Sequence, residues 1–174
     1  MHQLHYLIGD ATEPVKTPAL IAHVCNDVGR WGRGFVVAVS AKWPIVEKRY
    51  REAFRTSTME LGTTQFVETS GVNRDVLNTS KAIIVANMVS QRDTQWVGKV
   101  PPIRYDALET CLRAVYAKAE TFGWTVHMPR IGCVLAGGDW GYISQLILKT
   151  MTVETFVYTL EKQKTRWKDA YENA

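Results

Sequence analysis

Cysteine is scarce in this 174-residue chain, long apolar runs are missing, and the familiar one-line catalytic signatures are missing too. The three cysteines, Cys25, Cys111 and Cys133, are odd in number and lack metal-type spacing. That argues against a disulfide scaffold or a zinc knuckle and fits reduced thiols in a cytoplasm. No run approaches the ~20 apolar residues that a membrane-spanning helix needs, so no membrane partner is expected. Met1-His2-Gln3-Leu4-His5 does not lead from a basic segment into an apolar one, so a cytoplasmic protein is expected over a secreted one. The absence of G-x-x-x-x-G-K-S/T disfavours a P-loop nucleotidase. Gly29, Gly32 and Gly34 do not make the G-x-G-x-x-G of a dinucleotide-binding turn, and no G-x-S-x-G elbow or H-E-x-x-H helix occurs. Neither a metal ion nor a cofactor is expected.

What is present is an ordinary globular composition, 46% hydrophobic and 22% charged, in a length that suits one domain with its own core. The net charge of +4 admits an acidic partner or a phosphorylated substrate. Basic residues gather at Lys48-Arg49-Tyr50-Arg51 and at Lys162, Lys164, Arg166 and Lys168. Acidic residues interrupt both groups, as on solvated helix faces, so charge alone does not make this a nucleic-acid binder.

Taken in order, Tyr6-Leu7-Ile8 reads as a first strand ended by Gly9-Asp10. Ala19 to Cys25 is a continuous apolar run enclosing His23, the length of a buried central strand. Phe35 to Trp43 reads as a buried helix, and Pro44 opens a second one through Phe54, with Glu47 and Arg51 spaced to pair. Thr63 to Thr69 is β-prone, Gly71 to Ser80 reads as a polar hairpin connection, and Lys81 to Val89 is a second strongly apolar strand. Gln91 to Val100 is polar, and Pro101-Pro102 stops regular structure. Leu108, Cys111, Leu112, Val115, Ala119 and Phe122 form one stripe of an amphipathic helix that Gly123 ends. Thr125 to Met128 is a short strand, Asp139 caps a helix from Trp140 to about Met151, and Val153 to Leu160 is a last strand. The charged stretch 161–174 reads as a terminal helix outside a domain of residues 1–160.

Strands alternating with helices indicate a three-layer α/β/α sandwich with a mixed, largely parallel central sheet. Two glycine-bearing loops leave its strands at their carboxyl ends, where such sheets bind ligands. One runs from Cys25 to Gly34, the other from Pro129 to Trp140. Backbone N–H groups and helix N-termini at one sheet edge suit a diphosphate or another anion.

In combination these stretches resemble a macrodomain. The resemblance is carried by Gly9-Asp10 after the first strand and by Ile21-Ala22-His23-Val24-Cys25-Asn26 running into Gly29-Arg30-Trp31-Gly32-Arg33-Gly34. Met128-Pro129-Arg130-Ile131-Gly132-Cys133, Gly137-Gly138-Asp139-Trp140 and Phe156-Val157-Tyr158-Thr159-Leu160 continue it in the right order, across residues 4–160. The branch most similar holds yeast ADP-ribose 1″-phosphate phosphatase and the human terminal ADP-ribose glycohydrolase. The resemblance implies bound ADP-ribose, or a phosphorylated or ester-linked derivative. On that carry-over Asp10 accepts from the adenine amino group, with the Ala11 N–H beside it, and Tyr158 or Leu160 flanks the ring. Asn26 contacts the distal ribose, Gly32, Arg33 and Gly34 line the ribose-phosphate loop, and Gly132, Cys133, Val134, Leu135, Ala136, Gly137 and Gly138 wrap the diphosphate.

Two positions depart from the family pattern: relatives usually carry glycine at Arg33 and at Val134. Arg33 either faces a terminal phosphate or points to solvent. The glycohydrolase lysine and aspartate fall near Met88-Val89 and at Ala136, so that chemistry is not expected here. His23 matches the histidine of the phosphatase branch, and its ordinary pKa of ~6.5 suits acid–base work; the other reading is a hydrogen-bonded core residue. Asp27 and Asp139 are the loop carboxylates, Asp139 doubling as a helix cap, and Cys133 is either a nucleophile or a small core residue. Two functions follow: a hydrolase, in the first instance a phosphatase of ADP-ribose 1″-phosphate, or a binding module without turnover. An ADP-ribosyl ester hydrolase acting on protein or nucleic acid is a further form of the first.

Overall fold

The chain starts with a half-alternating apolar stretch that pairs at a sheet edge, and it reaches the sheet centre only where its apolar runs become continuous. The computed structural model describes residues 4–57, 59–70 and 80–170. In order the elements are β1 (Leu4–Ile8), β2 (Ala19–Asn26), α1 (Phe35–Lys42), α2 (Pro44–Thr56), β3 (Thr64–Glu68), β4 (Ile83–Gln91), α3 (Tyr105–Phe122), β5 (Thr125–Pro129), α4 (Trp140–Thr150) and β6 (Thr155–Thr159). A 3-10 segment, Glu161–Ala170, follows. The six strands form one sheet in the order β1-β6-β5-β2-β4-β3, parallel throughout except that β3 runs antiparallel to β4. The uninterrupted apolar runs of β2 and β4 sit side by side, Ala19 opposite Ile83 through Cys25 opposite Val89, because both their faces are covered.

Alternate residues of β2 face opposite helix layers. Ile21 joins Val39, Val46, Val67 and Val85 under α1 and α2. Leu20 and Ala22 join Ile84, Leu108, Leu112, Val126 and Ile147 under α3 and α4. This is the expected three-layer sandwich. Within the α3 stripe Leu108, Cys111, Leu112, Val115 and Ala119 are fully buried, whereas Phe122 is 44% exposed. It is the last helical residue before the left-handed Gly123 (φ 66°), and it lies against Trp124 and the Lys118 ammonium outside the core. Glu47 and Arg51 pair as their spacing predicts, at 2.8 Å.

Several boundaries shift by a residue or two, β6 for one running only Thr155–Thr159, and three departures matter more. β4 begins and ends two residues later than its apolar run, so Gln91 completes the pairing with Asn26 across an irregularity at Cys25/Asn26. The polar stretch after it is not featureless: Val97 and Val100 exchange both backbone hydrogen bonds at 3.0 Å, with Gly98 left-handed at φ 59°. The terminal segment is a 3-10 helix broken at Trp167 (φ −124°, ψ 29°), packed on β1 and β6, in place of a regular helix. Its polar composition offers no apolar face to hold an α-helix, and among its described side chains Trp167 is the one that packs on the core. The expected hairpin connection at residues 71–79 and the last residues, 171–174, lie outside the described residues.

Candidate ligand-binding cleft

β2 delivers the first loop at the carboxyl edge of the sheet. Asn26 at its end is buried and committed to the loop itself: Oδ1 accepts from Arg30 N (2.9 Å) and Val28 N (3.2 Å), and Nδ2 donates to Arg30 O (2.7 Å). Tyr50 of α2 donates to the Asn26 carbonyl at 2.6 Å. The side chain expected on the distal ribose therefore shapes the turn that would approach it. Gly32 and Gly34 take φ 145° and 80°, and Gly34 precedes α1 as a cap without any side-chain bond. The first N–H groups of α1 are thus left without a side-chain partner, at the place where an anion fits. Arg33 is exposed.

The second loop springs from β5. Gly138 N donates to Gly132 O at 2.8 Å, which pinches the loop shut at its base, and Ile103 N donates to Ala136 O at 3.1 Å. Gly132 and Gly137 are left-handed at φ 70° and 71°, and Val134 is left-handed as well, at φ 60°. Val134 and Leu135 are half-exposed at the loop tip, whereas Cys133 and Ala136 are buried. The two loops touch: a Cβ at Gly34 would stand 3.1 Å from Leu135 Cδ1. The first ribose-phosphate loop and the diphosphate loop of the sequence reading are therefore neighbours.

The third part is the turn after β1. Asp10 Oδ1 accepts from Thr12 N (2.8 Å) and Thr12 Oγ1 (2.9 Å), leaving its second oxygen outside both bonds. Ala11 is buried beside Phe156 and Tyr158. Tyr158 lies under the turn, 4% exposed, while Leu160 is 36% exposed. A directional chain anchors the segment. Thr125 Oγ1 donates to the Pro18 carbonyl (3.4 Å), so it accepts from His127 Nε2–H (2.8 Å). This leaves His127 Nδ1 to accept from the Tyr158 hydroxyl (2.9 Å), which in turn accepts from Val15 N–H (3.0 Å). Burial pushes His127 down to about 4, so the ring is neutral and can accept at Nδ1.

The side chains singled out for acid–base or nucleophilic work fare differently from the loops. His23 is 1% exposed, edge-on to Trp31 and tilted against Phe35, each at 5.6 Å between ring centres. Its Nε2–H donates to Asn87 Oδ1 at 2.5 Å; Asn87 Nδ2 donates to Gln65 Oε1, and Gln65 Nε2 to the Arg49 carbonyl, both at 3.0 Å. A backbone carbonyl can only accept, so it fixes the direction of the whole chain and leaves Nδ1 as the bare nitrogen, 3.8 Å from Cys25 Sγ. Burial lowers His23 to about 4, against the Asn87 hydrogen bond that raises it. His23 is thus buried with its Nε2 proton committed to Asn87. Cys133 is buried too, its thiol pushed up to about 11 chiefly by burial. Asp139 is the N-cap of α4, accepting from Tyr142 N at 2.8 Å. Asp27, partly buried, accepts from Asp93 N at 2.7 Å.

That last bond introduces residues that pattern reading missed. The excursion 92–103 bridges the two loops: Arg30 of the first loop meets Thr94 (3.0 Å) and Asp93 (3.5 Å), and Trp96 and Pro101 lie against Gly137 of the second loop. Trp96 is 52% exposed. An indole in a polar stretch before a double proline was the available signal. Among the described residues no three His, Cys, Asp or Glu side chains converge as metal ligands, and no helix is long and apolar enough to cross a membrane.

No family model matches the chain. It is similar to two bacterial proteins of known structure: one of unknown function from Bacteroides thetaiotaomicron (39% identical, TM-score 0.80, 90% of this chain and 98% of that one), and a macrodomain protein from Streptomyces coelicolor (38%, TM-score 0.73, 90% and 99%). The Thermosipho africanus DarTG structure in complex with ADP-ribose shares the fold at 19% identity, with TM-score 0.62 over 83% of this chain and 38% of that one. Among curated proteins it is 31% identical over 170 residues to the mouse Chromodomain-helicase-DNA-binding protein 1-like, covering 94% of this chain. It spans only 18% of that protein and 15% of its zebrafish counterpart. It is 23% identical to the ADP-ribose 1″-phosphate phosphatase of Lodderomyces elongisporus, over 90% of this chain and 98% of that one. Likeness at 19% speaks for the fold; 38% identity running through nearly the whole Streptomyces protein speaks for descent, and the chain belongs to the macrodomain family.

Proposed function

We propose that the cleft binds ADP-ribose. The adenine lies at the Asp10–Ala11 turn, the diphosphate between residues 32–34 and 132–138, and the distal ribose towards Asn26, Asp27 and Trp96. The observation that carries the reading is the convergence of three turns on one sheet edge, with Leu135 of one loop against Gly34 of another. The second oxygen of Asp10 is the acceptor for the adenine amino group. The uncapped start of α1 and the glycine-built second loop offer N–H donors without a fixed counter-charge, which suits a diphosphate.

Binding without turnover fits this geometry better than catalysis. His23 and Cys133 are buried and uncharged, and Asp139 is occupied with a helix end. The second reading, a hydrolase of ADP-ribose 1″-phosphate or of an ADP-ribosyl ester on protein or nucleic acid, keeps the phosphatase relative in its favour. In that reading Asp27 orients water and Arg33 neutralises the leaving phosphate. Calorimetric titration with ADP-ribose, run beside a phosphate-release assay on ADP-ribose 1″-phosphate, separates the two. Saturable binding with no release supports the reader; release that disappears in Asp27→Asn supports the hydrolase. No binding of either compound overturns both.

A further inference from the structure

The second loop is held at both of its ends by one caged cation. Arg130 leaves β5 immediately before the loop, and Trp140 opens α4 immediately after Asp139. The Arg130 guanidinium centre lies 5.0 Å from the rings of both Tyr6 and Trp140 and 4.7 Å from the ring of Trp167. Its Nε donates to Thr159 Oγ1 at 3.0 Å, and the residue is 9% exposed. Three ring faces around a desolvated guanidinium are attractive in a way that three aliphatic side chains would not be. Trp167 comes from the terminal 3-10 segment and sits at its break, where the helical path is interrupted.

We propose that Trp167 is a positioning residue for the ligand cleft: it holds the Arg130 guanidinium, which fixes where the second loop begins and, by its own contact with Trp140, where it ends. This rests on the ADP-ribose reading for its consequence in affinity, but not for its consequence in loop order. Between those anchors the base of the loop is tied by Gly138 N to Gly132 O and by Ile103 N to Ala136 O, but its tip, Val134 and Leu135, is half-exposed. Val134 occupies a left-handed backbone conformation that its β-branched side chain disfavours, a state that persists only where the surroundings impose it. The Arg130 charge also reaches into the loop, where it favours the thiolate of Cys133 against the effect of burial. A segment that touches no ligand thus sets the shape of the loop that would.

The test compares the unsubstituted 174-residue chain with Trp167→Ala, Trp167→Phe and Trp167→Leu, reading ADP-ribose affinity by calorimetry and amide exchange in residues 131–138. Trp167→Ala is expected to weaken binding roughly tenfold and to speed exchange in the loop. Trp167→Phe, which keeps a ring face over Arg130, restores both. Trp167→Leu, which keeps apolar volume alone, does not. Val115→Ala, on α3 in the core, supplies a general loss of stability for comparison and leaves loop exchange relative to the rest of the chain unchanged. Equal affinity and equal exchange in Trp167→Ala overturn the proposal, as does rescue by leucine equal to rescue by phenylalanine, or a matching loop effect in Val115→Ala. If the wild type fails to bind ADP-ribose, the functional reading falls, and the exchange data still decide whether Trp167 orders the loop.

Discussion

Val134 shows how a single residue can carry strain at a binding loop. A side chain in the left-handed region costs roughly 1–2 kcal/mol, while glycine there gives back roughly 0.5–1 kcal/mol in chain entropy. Val134 is 48% exposed, so little burial is at stake. Val134→Gly should therefore raise stability by about 0.5–1 kcal/mol, seen as a higher urea midpoint; a lower midpoint would mean that the side chain packs more than its exposure implies. Asp10 makes the opposite case, a residue whose value lies in one unused oxygen. Its removal should weaken ADP-ribose by about 1.5–3 kcal/mol, the worth of a hydrogen bond to a charged group. Unchanged calorimetric affinity in Asp10→Ala would remove the adenine assignment. For His23 the expected loss is in the fold: Ala there leaves Asn87 Oδ1 unsatisfied and a hole between Trp31 and Phe35, a cost of about 2–4 kcal/mol. A His23→Ala protein of native stability that had lost turnover would restore its catalytic reading.

At the scale of elements, the cleft is made by loops that different strands present and that neighbouring segments hold. Gly137 is where the second loop passes under Trp96 and Pro101, and a Cβ there would stand 2.7 Å from Pro101 Cβ and overlap the indole. Gly137→Ala must push apart the 92–103 excursion and the loop, and it adds left-handed strain at φ 71°. Affinity should fall by an order of magnitude or more while the circular dichroism of the sheet and helices is retained, a loss of about 1.4 kcal/mol per factor of ten. Affinity like the wild type's would show that the excursion yields freely. The strands and helices themselves were legible because their signals are local. The α3 stripe apart from Phe122, the Gly123 stop, Pro44 and the Asp139 cap each act within a few residues, and each is found where its spacing puts it. The hairpin at Val97–Val100 was missed because its two apolar residues face solvent and carry no periodic pattern.

Across the whole molecule, two neutral histidines buried in different parts of the sheet tie stability to pH. His23 and His127 fall from an ordinary 6.5 to about 4, in both cases mainly through burial. Well above pH 6.5 neither is protonated in either state, and the fold has its full stability. As the pH drops below 6.5 the unfolded chain takes up protons that the folded chain refuses, so stability declines until about pH 4, on the order of 3 kcal/mol for each histidine. Glu47, held below its usual value first by Arg51 and then by Ser40, adds loss in the same direction once carboxylates titrate. Urea midpoints at pH 7, 5.5 and 4.5 should fall in that order. A midpoint unchanged between pH 7 and 5 would show that these rings are protonated in the fold.

The sequence by itself determined the sandwich, the order of its elements and the two loops, because continuous apolar runs demand a sheet covered on both faces and glycines mark where the chain must turn closely. It also determined the family resemblance, which resides in short stretches read in order. Only the tertiary structure decided what individual polar residues do. Asn26 looks like a ligand contact and Asp27 like a catalytic carboxylate, yet the first also holds its own loop and the second accepts from an amide 66 residues away. His23 looks like an acid–base group, yet Asn87, Gln65 and the Arg49 carbonyl fix its proton, and burial keeps it neutral. Arg130 lies in the quoted motif, but its partners Tyr6, Trp140 and Trp167 come from three separate parts of the chain. Hydrophobic periodicity is a property of neighbours in sequence; the role of a buried polar group depends on which donors and acceptors the fold brings to it.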